Sequence, residues 1–278
     1  MRIPFTKMHG AGNDFIVINQ LSNDFSLTKK QIKLLANRQF GIGFDQLLIV
    51  EKTLLVDVDY KYRIFNADGL EVEQCGNGAR CFFLYLKYKG ISNKERISVE
   101  TKSGIISLTS EAENMIAVDM GFPNNNLECV PYLPNPDNSQ SIMINNINSS
   151  FYPISMGNPH AVIKLDSLDN IDFTSIGIKL QQSKSFPNSV NVGFLKVINK
   201  NEIALKVYER GSGLTLACGT GACAAAIIAI QNGWVENPVR VHMDGGDLTI
   251  KWSDGQRATL IGPAQISFEG EFDLDNFK

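Results

Sequence analysis

The chain has no excess of positive charge. Its 26 Lys+Arg stand against 29 Asp+Glu in 278 residues, a net charge of −3, so the electrostatic footprint of a nucleic-acid binder is missing. It also lacks a long apolar run. The longest, Ala222 to Ile230, falls far short of the roughly 20 residues that cross a bilayer. The opening Met1-Arg2-Ile3-Pro4-Phe5-Thr6-Lys7 lacks the apolar segment of a secretory leader. Five cysteines are too sparse, and odd in number, for a disulfide-stapled secreted scaffold. With His9, His160 and His242 as the only histidines, and cysteine spacings without paired histidines, a structural zinc site is not expected. What remains is 44% hydrophobic and 20% charged residues, a globular composition of a length that suits one large or two ordinary domains. A cytoplasmic protein with reduced thiols, bound to neither membrane nor nucleic acid, is the expectation.

The chain resembles itself once. Cys75-Gly76-Asn77-Gly78-Ala79 reads against Cys218-Gly219-Thr220-Gly221-Ala222. At nearly the same offset Phe65-Asn66 falls on Tyr208-Glu209, Gly12-Asn13 on Gly157-Asn158, and Gln46 on Asn191. Kept order with small drift is the trace of a duplication with loop insertions. Two similar halves are expected, residues 1–122 and 123–263. The Asn-, Pro- and Ser-rich stretch from Asn124 to Ser150 reads as a connector with little regular structure.

Short Ile- and Val-rich segments predict strands at Ile97–Glu100, Ile105–Thr109 and Ile116–Asp119, and again at Val239–Met243, Leu248–Trp252 and Ala258–Ile261. Ala79–Lys89 and Ala222–Asn232 are apolar on most faces and end at Gly90 and Gly233, which predicts a buried helix in each half. A second helix pair is expected at Lys29–Asn37, after a Thr28 cap, and at Thr174–Gln182. Strands with a central buried helix in each half give the fold class α+β.

Each Cys-Gly-x-Gly segment sits where a loop enters a helix. The first amides of a helix have no internal partner and carry partial positive charge. Glycines let an anion approach them. The same field lowers a thiol pKa toward neutrality, where it serves as general acid or base. Two such thiols, one from each symmetric half, are expected on opposite sides of a shared cleft, able to remove a proton from one face of a carbon and return one to the other. Cys81, Cys223 and Cys129 read as small core residues. Arg80 reads as a surface or domain-bridging charge.

Polar residues recur at equivalent places: Asn13 with Asn158, Gln46 with Asn191, Asn66 with Glu209. Amides in loops also satisfy turns, but loops related by one axis converge on one cleft. Arg210 suits a carboxylate and Glu209 an ammonium group. His160, just after Asn158-Pro159, reads equally as a hydrogen-bonded loop histidine or as a partner that sets a thiol's protonation.

These residues resemble the diaminopimelate epimerase family over nearly the whole chain. The segments that carry the resemblance are His9-Gly10-Ala11-Gly12-Asn13-Asp14-Phe15, Gly41-Ile42-Gly43-Phe44-Asp45-Gln46, Phe65-Asn66-Ala67-Asp68-Gly69, Cys75-Gly76-Asn77-Gly78-Ala79-Arg80, Gly157-Asn158-Pro159-His160 and Tyr208-Glu209-Arg210-Gly211 leading to Ala217-Cys218-Gly219-Thr220-Gly221-Ala222. The resemblance implies an isomerase free of metal and pyridoxal phosphate that interconverts LL- and meso-2,6-diaminoheptanedioate. It implies Cys75 and Cys218 as the acid–base pair, supported by His160 and Glu209. The amides of Gly76, Asn77, Gly219 and Thr220 would hold the reacting carboxylate, and Asn13, Gln46, Asn66, Asn158, Asn191, Glu209 and Arg210 would complete the substrate site. It also implies a homodimer and a fold of two pseudosymmetric domains, each a curved mixed or antiparallel sheet around a central helix, with the final 264–278 returning to the first half, where Ile266–Phe272 would pack. Leu70, Val72 and Gln74 depart from the family pattern before Cys75. The rival readings are a proline or hydroxyproline racemase, a non-catalytic amino-acid binder and, more weakly, a thiol redox protein.

Overall fold

The computed structural model describes residues 1–22, 25–73, 75–112, 114–134, 140–145 and 147–277. The chain forms two compact units, Met1–Asp119 with Ile261–Lys278, and Met120–Leu260.

In the first unit, β1 (Arg2–Gly10) and β2 (Asn13–Asn19) form an antiparallel hairpin. Helix α1 (Lys29–Ala36) carries the chain to β3 (Gln46–Glu51), which pairs parallel to β2 with Phe15 opposite Gln46. Thr28 caps α1 in a reciprocal capping box with Gln31, as the sequence led us to expect of its position. Strand β4 (Tyr60–Asn66) returns antiparallel to β3, so that Gln46 faces Asn66, and β5 (Glu71–Val72) folds back on β4. Helix α2 (Gly76–Tyr88) follows. Then β6 (Arg96–Thr101), parallel to β4, leads into the meander β7 (Gly104–Ala112) and β8 (Met115–Asp119).

The second unit repeats that order. After β9 (Ser141–Ile144), β10 (Ile147–Ser155) and β11 (Pro159–Lys164) make an antiparallel hairpin. Helix α3 (Phe173–Gln181), capped by Asp172, crosses to β12 (Asn191–Asn199), parallel to β11 with His160 opposite Asn191. Strand β13 (Glu202–Glu209) returns antiparallel and β14 (Gly213–Thr215) folds back on it. Helix α4 (Gly219–Gln231) precedes β15 (Val239–Met243), parallel to β13, and β16 (Gly246–Lys251). The pairing order hairpin, parallel crossover, antiparallel return, fold-back and parallel crossover is thus the same in both units. Strand β17 (Thr259–Pro263) contains the boundary between units, and β18 (Gln265–Asp273) pairs antiparallel with β1 from Arg2 opposite Asp273 onward.

The two helices α2 and α4 begin earlier than their apolar runs because the glycines themselves are helical and the cysteines are the caps. Both end in positive-φ glycines, Gly90 at +63° and Gly233 at +67°, where a Cβ would be strained. Their flanks are buried: Ala79, Cys81, Phe82 and Leu86 on α2, and Ala222, Cys223, Ala226 and Ile227 on α4. Two further cores pack strands against α1 and against α3. One gathers Ile16, Ile18, Leu35, Phe44 and Leu47; the other gathers Phe151, Phe186, Val192 and Phe194.

Three expectations need correction. The segment from Asn124 to Ser150 is not structureless: it holds a 3-10 turn at Leu127–Cys129, all of β9 and the start of β10. Val130, Tyr132, Ile142 and Ile144 drive this by entering the second core. The part of that reading that falls on residues 135–139 and 146, like Gln74, lies outside the described residues. Arg80 is not a surface charge but wholly buried, its guanidinium donating to the carbonyls of Gly76 and Pro263. Cys129 is exposed rather than part of a core.

Candidate functional site

Every candidate residue lies at the end of a strand or at the start of α2 or α4, in two sets, one per unit. In the first unit Cys75 takes extended backbone angles and its sulfur accepts from the Gly78 amide at 3.4 Å. This close turn requires glycine at 78, because a Cβ there would lie 2.3 Å from the Tyr62 hydroxyl. Cys75 is half-buried, and its thiol points to Asn13 Oδ1 at 3.7 Å. The buried Asn77 donates to the same oxygen at 3.5 Å. Gln46 donates to Asn66 Oδ1 at 2.8 Å across the β3–β4 pair. Its Oε1 is buried without a hydrogen-bond partner among the described residues.

In the second unit Cys218 caps α4 with its backbone, Ala222 donating to its carbonyl at 2.9 Å. Its thiol lies 3.0 Å from Glu209 Oε2 and 3.7 Å from the Thr220 hydroxyl. The other Glu209 oxygen accepts from Thr215 at 2.6 Å. Asn158 donates to Thr220 at 3.3 Å, and the His160 ring Nε2 meets Asn158 Oδ1 at 3.0 Å. A carbonyl oxygen only accepts, so His160 carries its proton on Nε2. Asn191 accepts from the Arg210 amide at 2.8 Å and donates to the Pro159 carbonyl at 3.1 Å, tying two loops together. The Arg210 side chain is exposed and donates to the Asn188 carbonyl.

The electrostatics differ from the sequence expectation in two respects. The helix start alone would lower a thiol pKa. At Cys218, burial first and the Glu209 carboxylate second push the thiol well above its ordinary value. A buried thiolate beside a carboxylate would be doubly disfavoured, so Cys218 rests as a thiol. His160 also differs. It reaches Cys218 only through Asn158 and Thr220, and burial followed by the Arg210 charge pulls its imidazole down to about 3.

That shift has a pH consequence. The unfolded chain takes up the His160 proton below its ordinary 6.5, while the folded chain keeps the ring neutral down to about 3. The stabilisation is therefore complete above 6.5 and is lost as the pH falls through that window. Chemical denaturation at pH 6 and pH 5 is expected to show a loss of about 1 kcal/mol in the native protein that His160→Gln lacks. An equal slope in both would mean that the ring is protonated in the fold.

The sequence did not single out Thr215, which donates to Glu209, Asp45, which accepts from Asn13, or Tyr62, whose hydroxyl donates to the Cys75 carbonyl. Thr215 sits in β14, and its proximity to Glu209 follows from the tight β13–β14 hairpin that places Gly213 opposite Glu209. A hydroxyl six residues after a carboxylate across a Gly-rich turn is the signal that was available. All five cysteines are free thiols. Among the described residues, no three His, Cys, Asp or Glu side chains are grouped to hold a metal ion, and no helix is long and apolar enough to cross a membrane.

Solved structures share this architecture. A PhzF-family phenazine biosynthesis protein of Bacillus anthracis superposes with a TM-score of 0.70 at 17% identity, covering 98% of this chain and 99% of that one. A hydroxyproline epimerase of Agrobacterium vitis does so with a TM-score of 0.69 at 12% identity, covering 97% and 92%. The chain thus has the two-unit α+β fold of those proteins, with a cysteine capping the buried central helix of each unit. Sequence narrows this further. The diaminopimelate epimerase family model matches residues 5–125 and 152–267. Diaminopimelate epimerases of Cupriavidus pinatubonensis and Psychrobacter arcticus are 46% and 47% identical, covering 99% of this chain and 98% and 95% of theirs. The chain belongs to the diaminopimelate epimerase family and is an isomerase.

Proposed function

We propose that Cys75 and Cys218 are the two proton-transfer groups by which this enzyme interconverts LL- and meso-2,6-diaminoheptanedioate, the reaction its family membership implies in lysine biosynthesis. The observation that carries the reading is the pair of thiols at equivalent helix starts, each facing a side-chain oxygen that is itself held by a second group: Asn13, held by Asn77, at Cys75 and Glu209, held by Thr215, at Cys218.

One sulfur, as thiolate, takes the α-hydrogen: the C–H bond breaks and an S–H bond forms. The other gives up its proton to the opposite face of the same carbon, which inverts it. The electron pair left on the carbon spreads into the adjacent carboxylate. The amides of Gly76, Asn77, Gly219 and Thr220 hold that carboxylate, because helix-start amides stabilise the developing negative charge. Glu209 accepts the Cys218 proton when that sulfur must become a thiolate, and His160 supports it by orienting Asn158 and Thr220. Asn13, Gln46, Asn66, Asn158, Asn191, Glu209 and Arg210 bind the rest of the substrate, with Arg210 on a carboxylate. The free thiols suit a cytoplasmic enzyme. A homodimer is the expected assembly, from the family resemblance.

The substrate assignment is tested in deuterated water with LL-diaminopimelate and with L-proline. Solvent deuterium entering the α-position of diaminopimelate alone is the expected result. Uptake by proline alone would reassign the enzyme to the racemases.

A further inference from the structure

We infer that Asp45 is a positioning residue for the Cys75 side of the reaction: its carboxylate sets which way the Asn13 amide faces. The inference rests on Cys75 being an acid–base group. An Asn side chain can present either its oxygen or its nitrogen to a neighbour, and the surrounding groups decide which. Asn13 has Cys75 and Asn77 on one side and Asp45 on the other. Asp45 Oδ2 accepts from Asn13 Nδ2 at 2.9 Å and from the Asp14 amide at 3.2 Å. A carboxylate only accepts, so the Asn13 nitrogen must face Asp45 and the oxygen must face the Cys75 sulfur and Asn77 Nδ2.

Asp45 is itself held from three sides. Arg38 donates to its Oδ1 at 2.9 Å while forming a two-point pair with Asp14 at 2.9 and 2.7 Å. The backbone amide of Asp45 donates to Asp14, and Lys7 completes the cluster on Asp14. The charged cluster thus runs from Lys7 on β1 and Asp14 on β2 through Arg38, after α1, to Asp45 at the entry to β3. It ends on an amide oxygen aimed at a thiol. An acceptor beside sulfur favours S–H over S⁻, whereas an N–H donor there favours the thiolate. The orientation of Asn13 therefore bears on the protonation of Cys75.

Asp45→Asn separates this role from simple support. Its single side-chain oxygen is claimed by the Arg38 guanidinium, the stronger donor. Its nitrogen then faces Asn13 and competes with Asn77 Nδ2 for the Asn13 oxygen, and when it wins Asn13 turns its own nitrogen toward Cys75. Asp45→Glu keeps two accepting oxygens. The test alkylates the enzyme with iodoacetamide and counts modification at Cys75 and at Cys218 separately by peptide mass spectrometry, beside the turnover number. In Asp45→Asn, Cys75 is expected to react about tenfold faster and turnover to fall about tenfold, with Cys218 unchanged and Asp45→Glu close to the unsubstituted enzyme. A Cys75 rate in Asp45→Asn equal to or below that of the unsubstituted enzyme overturns the inference. So does an equal rise at both cysteines, which would report general loosening. Cys75→Ala is measured alongside: if it turns over normally, what fails is the acid–base reading of Cys75.

Discussion

Cys75→Ala and Cys218→Ala are each expected to lower inversion of diaminopimelate by about 10⁴-fold, with substrate binding retained. Inversion needs a group to remove the proton from one face and a second group to supply one to the other. Alanine at either position removes one half of that exchange, and at position 218 the Glu209 carboxylate that remains was placed by β13 to meet the sulfur. Both sulfurs sit where the backbone already holds them, at N-cap positions whose carbonyls accept from Ala79 and Ala222. Truncation removes the Cys75 sulfur contact with the Gly78 amide but neither carbonyl bond. Steady-state assays by circular dichroism, with calorimetric titration for binding, check both parts. Loss of binding together with loss of turnover would point instead to a structural role.

Glu209→Gln is expected to cost about 100-fold in turnover and to lower the pKa of Cys218. The carboxylate lies 3.0 Å from the sulfur, and it is the second cause, after burial, of the raised thiol pKa. Glutamine keeps the shape and the Thr215 contact but removes the charge and with it the acceptor for the thiol proton. The two effects have opposite signs for the chemistry: the thiolate is less disfavoured, yet burial still keeps the resting sulfur protonated and the carboxylate that would take its proton is gone. Thiolate ultraviolet absorbance against pH, read beside turnover, checks both. A turnover number close to that of the unsubstituted enzyme would remove Glu209 from the proton path.

Most of this arrangement could be read before the fold was known, and the reasons are specific. The Cys-Gly-x-Gly repeats were visible because a helix start packed against a strand tolerates no side chain at Gly78, where Tyr62 closes the space. Helix α1 was visible because its cap is local: Thr28 and Gln31 satisfy each other within one turn. What could not be read depended on contacts distant in sequence. The burial of Arg80 needs the carbonyl of Pro263, 183 positions away. Strand β9 is short, flanked by Asn and Ser, and stabilised by a core assembled from β10 to β12. The raised pKa of Cys218 reverses a local rule because burial outweighs the field of the helix. The amides at Asn13, Gln46 and Asn158 were recognisable as repeated polar positions, but not their orientations, which are set by a charged neighbour in one case and by a histidine in another.

The proposed inversion needs two different sulfurs, one for each face of one carbon. A single-turnover reaction tests it, with enzyme in excess over unlabelled LL-diaminopimelate in deuterated water, quenched before the reverse reaction. The meso product should carry deuterium at the inverted carbon while unreacted LL-substrate keeps its hydrogen. Product that retains the substrate's own hydrogen would show that a single group moved the proton from one face to the other, and would contradict the two-thiol mechanism.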